Sequence, residues 1–263
     1  MKNNAIIGFM AETFIHSGCG QSQGAIDLPF SREKATDYPY IPGSSLKGAF
    51  KDYRAKQDTD EMFGKSDVAG NLLVSDLRLL LLPVRSLTGA YKWVTCPHIL
   101  KRLKRDLQRT EQSEQSTEFS TNETYELTGE GATLFLEELS FKLIDEQSID
   151  SALFALLKCL SGAIEDKEKI VIIKDDDFNW FAKNALSIQA RNVLDSNKAS
   201  NNLWYEESLP PDTLMYCLLG DRKIEGTTVS NMLAQIKEEK YLQTGGNETV
   251  GMGWFQMQKY EGK

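Results

Sequence analysis

Apolar residues run without alternation through "AIIGFMAETFIH" (5–16), which predicts a first strand covered on both faces and therefore central in its sheet. "NLLVSDLRLLLLPV" (71–84) has the same character and predicts a second buried strand. Helical spacing takes over after position 43: Leu46, Ala49, Phe50 and Tyr53 fall on one face of a helix and Lys47, Lys51 and Arg54 on another. "PHILKRLKRDLQR" (97–109) repeats that design with Ile99, Leu100, Leu103 and Leu107 facing in and Lys101, Lys104 and Arg105 facing out, and Pro97 suits its first position. Further along, "ATLFLEELSFKLI" (132–144) and "KIVIIK" (169–174) read as strands. "SIDSALFALLKCLSGAI" (148–164), "FNWFAKNA" and "TVSNMLAQIKEEK" (228–240) read as helices.

Between the first strand and the first helix lies a loop, 17 to 43, rich in Gly, Pro and Ser. A loop longer than about 15 residues in a compact domain is functional or disordered. This one carries the apolar anchors Ile26, Leu28, Phe30, Tyr38 and Tyr40, which argue for order. Near the C-terminus, two strands joined by the polar turn "DSNKASN" predict a protruding hairpin over about 190 to 206. "TGGNETVGMGWFQM" reads as a glycine loop feeding a last strand. No repeat of fixed period is present. Strands and helices in mixed order predict a single α+β domain over 1 to 263, with a ferredoxin-like sheet layer as the simplest arrangement and helices on one face.

Composition changes the picture mainly through where the charge lies. The total of −8 argues against a polyanionic partner, but residues 111 to 130 hold six acids and no base and supply most of it. By contrast, 97 to 109 carries five bases and one acid, and 31 to 56 six bases and three acids. A phosphate footprint needs a local patch rather than a basic total; the same stretches also read as ordinary solvated helix faces. The acidic stretch, 110 to 131, reads as a mobile surface insertion. No run of 18 apolar residues exists and the N-terminus has no signal-peptide layout, so the expectation is a cytoplasmic protein with no membrane partner. Cys19, Cys96, Cys159 and Cys217 are scattered, which fits a reducing compartment.

Candidate chemistry concentrates in "GAIDLPFSREKATDYPYIPGSSLKGAF" (24–50). A helix start presents free N–H groups and a positive dipole end, so Ser44, Ser45 and Lys47 suit a phosphate, with Lys51, Arg54 and Arg32 nearby; Ser44 or Ser45 would equally serve as a plain N-cap. The motif is not a Walker A loop, which removes support for nucleotide hydrolysis. Asp27 stands in the long loop. Its functional reading is acid–base or metal-assisted work on a phosphodiester, against the ordinary role of a turn-former. His16, at the end of the first strand, fits either a base or a structural histidine. With Cys19 it makes H-x-x-C, but no second pair exists for zinc. Gly245 and Gly246 let backbone come close to a ligand or to another backbone. Trp204 and Tyr205, in "LWYEESLPP", suit stacking on bases or packing in the core.

Together these stretches resemble the RAMP (repeat-associated mysterious protein) superfamily. The matching blocks are the 24–50 segment, "VSDLRLLLLPVRSLTGAYKWVTCPHILKRLKRDL", "LWYEESLPPDTLMY" and "LQTGGNETVGMGW". "PGSSLKG" marks the superfamily, whereas "PVRSLTGAYKWVTCP" and "YEESLPPDTL" are similar to the backbone subunit of the type III-B CRISPR effector, the Cmr complex. The acidic 111–130 linker matches nothing in the family pattern. The resemblance implies an RRM-like palm with a thumb at 190–206. It implies a filament of like subunits along a CRISPR guide RNA, with other Cmr subunits as partners. It also implies cleavage of target RNA at regular intervals by the loop aspartate, here Asp27, with a divalent ion (Mg or Mn). The helix starting at Ser44 would hold guide phosphates. A pure guide-RNA scaffold and the analogous type III-A (Csm) subunit are the competing readings.

Overall fold

The computed structural model describes residues 3–22, 24–53, 60–110, 118–128, 130–144 and 148–260. The first half runs β1 (Asn4–Ala11), β2 (Tyr40–Ile41), α1 (Gly43–Tyr53), α2 (Asp60–Phe63), β3 (Gly64–Lys65), β4 (Val68–Ala69), β5 (Leu72–Val74), β6 (Leu77–Arg85), β7 (Tyr91–Thr95) and α3 (Pro97–Leu107). Then come β8 (Tyr125–Glu126), β9 (Thr133–Leu136), β10 (Leu139–Leu143), α4 (Ser151–Ser161), β11 (Ile170–Ile172) and α5 (Asp175–Asn184). The last third holds β12 (Ser187–Leu194), β13 (Ser200–Ser208), β14 (Leu214–Asp221), α6 (Thr228–Glu238), β15 (Tyr241–Gln243) and β16 (Trp254–Lys259). Among the described residues no helix is long and apolar enough to cross a membrane.

A mixed α+β architecture results. The central sheet has the order β11-β7-β6-β14-β1-β16-β15, with β2 added on β6 and β5 on β14. Only the β11–β7 pair is parallel among these contacts. β1 is central, as its unbroken apolar run predicts, and it pairs β14 on one side and β16 on the other. Successive strand residues face opposite ways, so β1 shows how both faces are filled. Phe9 packs against Phe50 of α1 and Phe255 of β16. Its neighbour Gly8 faces the last turn of α4, where a Cβ would run into the Leu160 carbonyl. Helices therefore cover both faces of the sheet, not one as the sequence suggested.

Three sequence expectations change for local reasons. The 71–84 strand is two strands, broken at Ser75–Asp76 so that the Asp76 carboxylate can accept the Gly43 N–H at the start of α1, 2.7 Å away. The 132–144 strand is the β9–β10 hairpin, turning at Glu137 with φ +48°. The described part of the acidic insertion is attached to the body at three points. Phe119 is buried with the Lys104 ammonium over its ring, and Thr124 exchanges hydrogen bonds with Ile172. β8 pairs β10. Residues 111–117 and 129, part of the same expectation, lie outside the described residues.

β12 and β13 pair with each other over their whole length. Ile188, Val193, Leu194, Leu203 and Tyr205 on this arm are exposed.

Two glycine substitutions test this packing. Gly8→Ala is expected to lower stability by about 1–3 kcal/mol through overpacking against α4. Gly48→Ala, inside α1 with open space around it, is expected to raise it by about 0.5–1 kcal/mol. Urea unfolding of the chain measures both; a neutral Gly8→Ala would contradict the close α4 contact.

Candidate nucleic-acid interface and cleavage site

Residues 17–19 and 29–31 of the long loop run side by side: Ser31 N–H donates to Ser17 O at 2.8 Å, and Cys19 N–H to Pro29 O at 3.4 Å. The outer edge of this pair then lies along the base of the arm. Leu28 N–H donates to Tyr205 O and Glu207 N–H to Leu28 O, both at 3.0 Å. These bonds bring Asp27 to β13, where its Oδ2 accepts the Tyr205 N–H at 2.8 Å. Asp27 is half-buried and lines a cleft of about 380 Å³ with Gln21, Ser22, Leu28, Asn202, Leu203 and Trp204. A polar cleft with one carboxylate, a half-buried indole and amide side chains suits a hydroxyl-bearing ligand such as a ribose more than an apolar one.

His16 lies beneath the same arm but is largely enclosed, 8% exposed. Its Nδ1 meets the Glu207 carbonyl at 2.7 Å, the donor geometry of a ring N–H, and stands 3.6 Å from the Glu206 carboxylate. Glu206 also pairs Arg191 Nε at 3.2 Å and accepts a hydrogen bond from the Asn247 side chain. Tyr205 and Glu207 are two residues apart on β13, so one strand fixes both candidate catalytic side chains. His16 does not line the Asp27 cleft.

The expected glycine contacts resolve differently. Gly246 N–H donates to His16 O at 2.9 Å, and a Cβ at Gly245 (φ +93°) would strike that same carbonyl. Close packing on the His16 backbone accounts for the glycine at 245; a Cβ at 246 would make only ordinary contacts. Arg32, expected to face RNA, turns inward: its guanidinium donates to Glu207 Oε1 (2.6 Å), Asp37 O (2.9 Å) and Ala182 O (2.7 Å).

The second feature is a cleft of about 470 Å³ at the start of α1. Gly43, Ser44, Lys47, Arg78, Arg109 and Asn4 stand over a floor that includes Leu72, Val74 and Leu218. Ser44 and Ser45 are exposed in the first turn; Asp76, not either serine, meets the Gly43 N–H. Lys47 is half-buried, and desolvation, then the nearby Arg222 charge, pushes its pKa below the ordinary lysine value. An anion in this cleft would relieve both costs. Lys51 is engaged elsewhere, donating to Gly64 O at 3.2 Å and standing 3.9 Å from Asp60. Arg54 lies outside the described residues. Arg78 and Arg109, which charge patterns alone did not single out, enter this cleft because both bind the buried Asp106, at 2.6 and 3.2 Å. The two clefts share no lining residue: β14 brings Leu218–Gly220 to the cationic cleft, whereas the Asp27 cleft is lined by the loop and by β13.

The donor set at Asp27 does not fit a resident divalent ion. The chain offers one carboxylate with one oxygen already engaged, and among the described residues no three His, Cys, Asp or Glu side chains are grouped to hold a metal.

Comparison with known proteins places the chain among relatives of one kind. The RAMP superfamily model matches residues 9–256. A Pyrococcus furiosus protein, the CRISPR system Cmr endoribonuclease Cmr4, is 34% identical over 277 residues, covering 95% of this chain and 93% of the relative. The crystal structure of oligomeric Cmr4 from Pyrococcus furiosus superposes with a TM-score of 0.75 at 28% identity, covering 99% of each chain. A chain in the cryo-EM structure of the type III-B Cmr-beta complex bound to cognate target RNA shares the fold, with TM-score 0.74 at 20% identity over 98% of this chain and 97% of that one.

Electrostatics at the cationic cleft gives a direct test. Removing a neighbouring positive charge favours the protonated form, so Arg222→Ala is expected to raise the Lys47 pKa part of the way to its ordinary value. Amine labelling across a pH series, read by mass spectrometry at Lys47, measures it. An unchanged profile would show that Arg222 does not act on this amine.

Proposed function

The chain belongs to the RAMP superfamily and, within it, to the Cmr4 family, and from that membership we propose that it is the repeated backbone subunit of a type III-B CRISPR effector, carrying guide RNA and cutting complementary target RNA. Its partners are the guide, the target, further copies of itself in a filament and the other Cmr subunits, in the cytoplasm. The observation that carries the cleavage reading is Asp27, held by Tyr205 N–H in a polar cleft at the base of the arm with its second oxygen free of a protein hydrogen bond among the described contacts.

The palm in this reading is ferredoxin-like. In support, β16-β1-β14-β6 are adjacent and antiparallel, with α1 between β1 and β6 in sequence and α6 between β14 and β16. The β12–β13 arm is the thumb, which opens the guide–target duplex beside the Asp27 cleft. Loop 17–43 is the active-site loop.

Chemistry follows from what a lone carboxylate can do. Asp27 orients a target ribose 2′-hydroxyl and takes its proton. The oxygen attacks the adjacent phosphorus, and the bond to the next nucleotide's 5′-oxygen breaks. The products are a 2′,3′-cyclic phosphate and a 5′-hydroxyl, which acquires a proton from solvent. Asp27 is the one carboxylate lining the cleft, so a divalent ion brought with the RNA would take most of its other oxygen ligands from phosphate and water. His16 acts on this step through the loop it anchors.

Guide binding is assigned to the cationic cleft: Ser44 and Lys47 at the helix start, with Arg78 and Arg109 across from them. Lys47→Ala is expected to reduce the salt dependence of guide binding by roughly one unit of slope. Lys51→Ala, whose amine is already bonded, is expected to change it less. Equal slopes for Lys47→Ala and the parent would remove this cleft from the footprint.

For cleavage, Asp27→Asn keeps size and hydrogen bonding but loses the base. The assembled complex should load guide and bind target as before, while single-turnover cleavage slows by about a hundredfold or more. Cleavage at the parent rate would leave the subunit a guide-RNA scaffold only.

A further inference from the structure

We propose that Glu207, with Arg32, is a positioning residue for Asp27, a role that rests on the cleavage reading above. Glu206 and Glu207 are consecutive on β13, so their side chains leave opposite faces of the strand. Both are nonetheless buried, at 2% and 4% exposed. Glu206 holds Arg191, Asn247 and His16. Glu207 serves the active-site loop: Oε2 accepts the Phe30 N–H at 2.9 Å and Oε1 the Arg32 Nη2–H at 2.6 Å. From there Arg32 Nη1 ties the loop to Asp37 O and to Ala182 O in the last turn of α5.

The consequence for Asp27 is geometric. Its carboxylate is fixed at one end by the Tyr205 N–H, and Leu28 makes two main-chain bonds to β13. Beyond Leu28 the main chain of the loop has no further bond to β13 among those described. Pro29 has no N–H to give, and the next attachment is the Glu207 carboxylate on Phe30. Glu207 therefore sets the register of the loop on the thumb, three residues from the reacting group. Without its charge, Arg32 keeps two carbonyls but loses its ion pair in a largely enclosed position, and Phe30 N–H loses its strongest acceptor. A displacement of about 1 Å at a reacting group costs up to about a hundredfold in rate.

This assignment conflicts with Arg32 as a phosphate contact, and the two separate cleanly. The assembled, guide-loaded complex is prepared with Glu207→Gln, Arg32→Gln, both together, and Asp27→Asn. Target affinity and single-turnover cleavage are measured for each. Positioning predicts cleavage about tenfold to a hundredfold slower in each single variant, with target Kd and its salt slope within twofold of the parent. The double variant should be no slower than the slower single, because the two side chains act as one clamp. In an Asp27→Asn background, Glu207→Gln should slow nothing further. If Glu207→Gln fails to assemble, Arg32→Gln and Arg32→Lys carry the measurement. A rise in Kd with a shallower salt slope in Arg32→Gln would overturn the clamp in favour of RNA contact. Parent-rate cleavage by Glu207→Gln and Arg32→Gln, alongside an inactive Asp27→Asn, would overturn positioning and leave Asp27 standing. Parent-rate cleavage by Asp27→Asn would instead sink the reading beneath it.

Discussion

The pairing of loop residues 27–30 with the base of β13 is the contact on which the rest of the site depends. It is made of main-chain hydrogen bonds between Leu28 and Tyr205–Glu207, closed by one carboxylate on each side: Asp27 on Tyr205 N–H, and Glu207 on Phe30 N–H. A protruding two-stranded arm is at best marginally stable alone. Here its root gains a third chain segment, and the loop gains a rigid strand to lie on. The Asp27 carboxylate thereby sits where arm and loop meet.

Charged pairs that hold the same loop do related work. Arg102 binds both oxygens of Glu33 at 2.6 and 2.9 Å, and Arg32 meets Glu207. Buried pairs of this kind contribute little net stability against an apolar replacement, but leaving one partner alone costs about 3–5 kcal/mol. Their effect is to make alternative placements of the loop expensive. Glu33 and Arg32, adjacent in the loop, fasten it to α3 on one side and to the arm on the other. Lys47 is the contrast. It is half-buried, stands near Arg222 and has no carboxylate partner among the described salt bridges, so an anion beside it would favour its charged form.

The proposed functions occupy separate clefts: the cationic one is built on strands of the central sheet with the start of α1, and the Asp27 one on the loop and β13. Rigidity matters because neither cleft is enclosed by the chain itself. β1 and β14 supply it, with residues packed on both faces from Phe9 and Phe50 on one side to Gly8 and Leu160 on the other.

Amino-acid order alone determined the elements that depend on nearest neighbours: the central β1 from its unbroken apolar run, α1 and α3 from their stripes, and the exposed hairpin from its polar turn. The motif blocks also carried the family and singled out Asp27. Tertiary structure decided what depends on partners far away in the chain. Gly43 is met by Asp76, thirty-three residues on, so a strand had to break where hydrophobicity runs straight through. Arg32 reads as a surface cation until Glu207, 175 residues away, takes it inward, and Gly245 reads as room for a ligand or for other backbone until the His16 carbonyl takes that space. The acidic insertion reads as mobile because its composition cannot form a core, yet in its described part Phe119 under Lys104, Thr124 on Ile172 and the β8–β10 pair attach it to the body. A charge or a glycine has no fixed meaning in one dimension, since its energy is set by what the fold brings against it; an apolar stripe does, since water is its alternative in every fold.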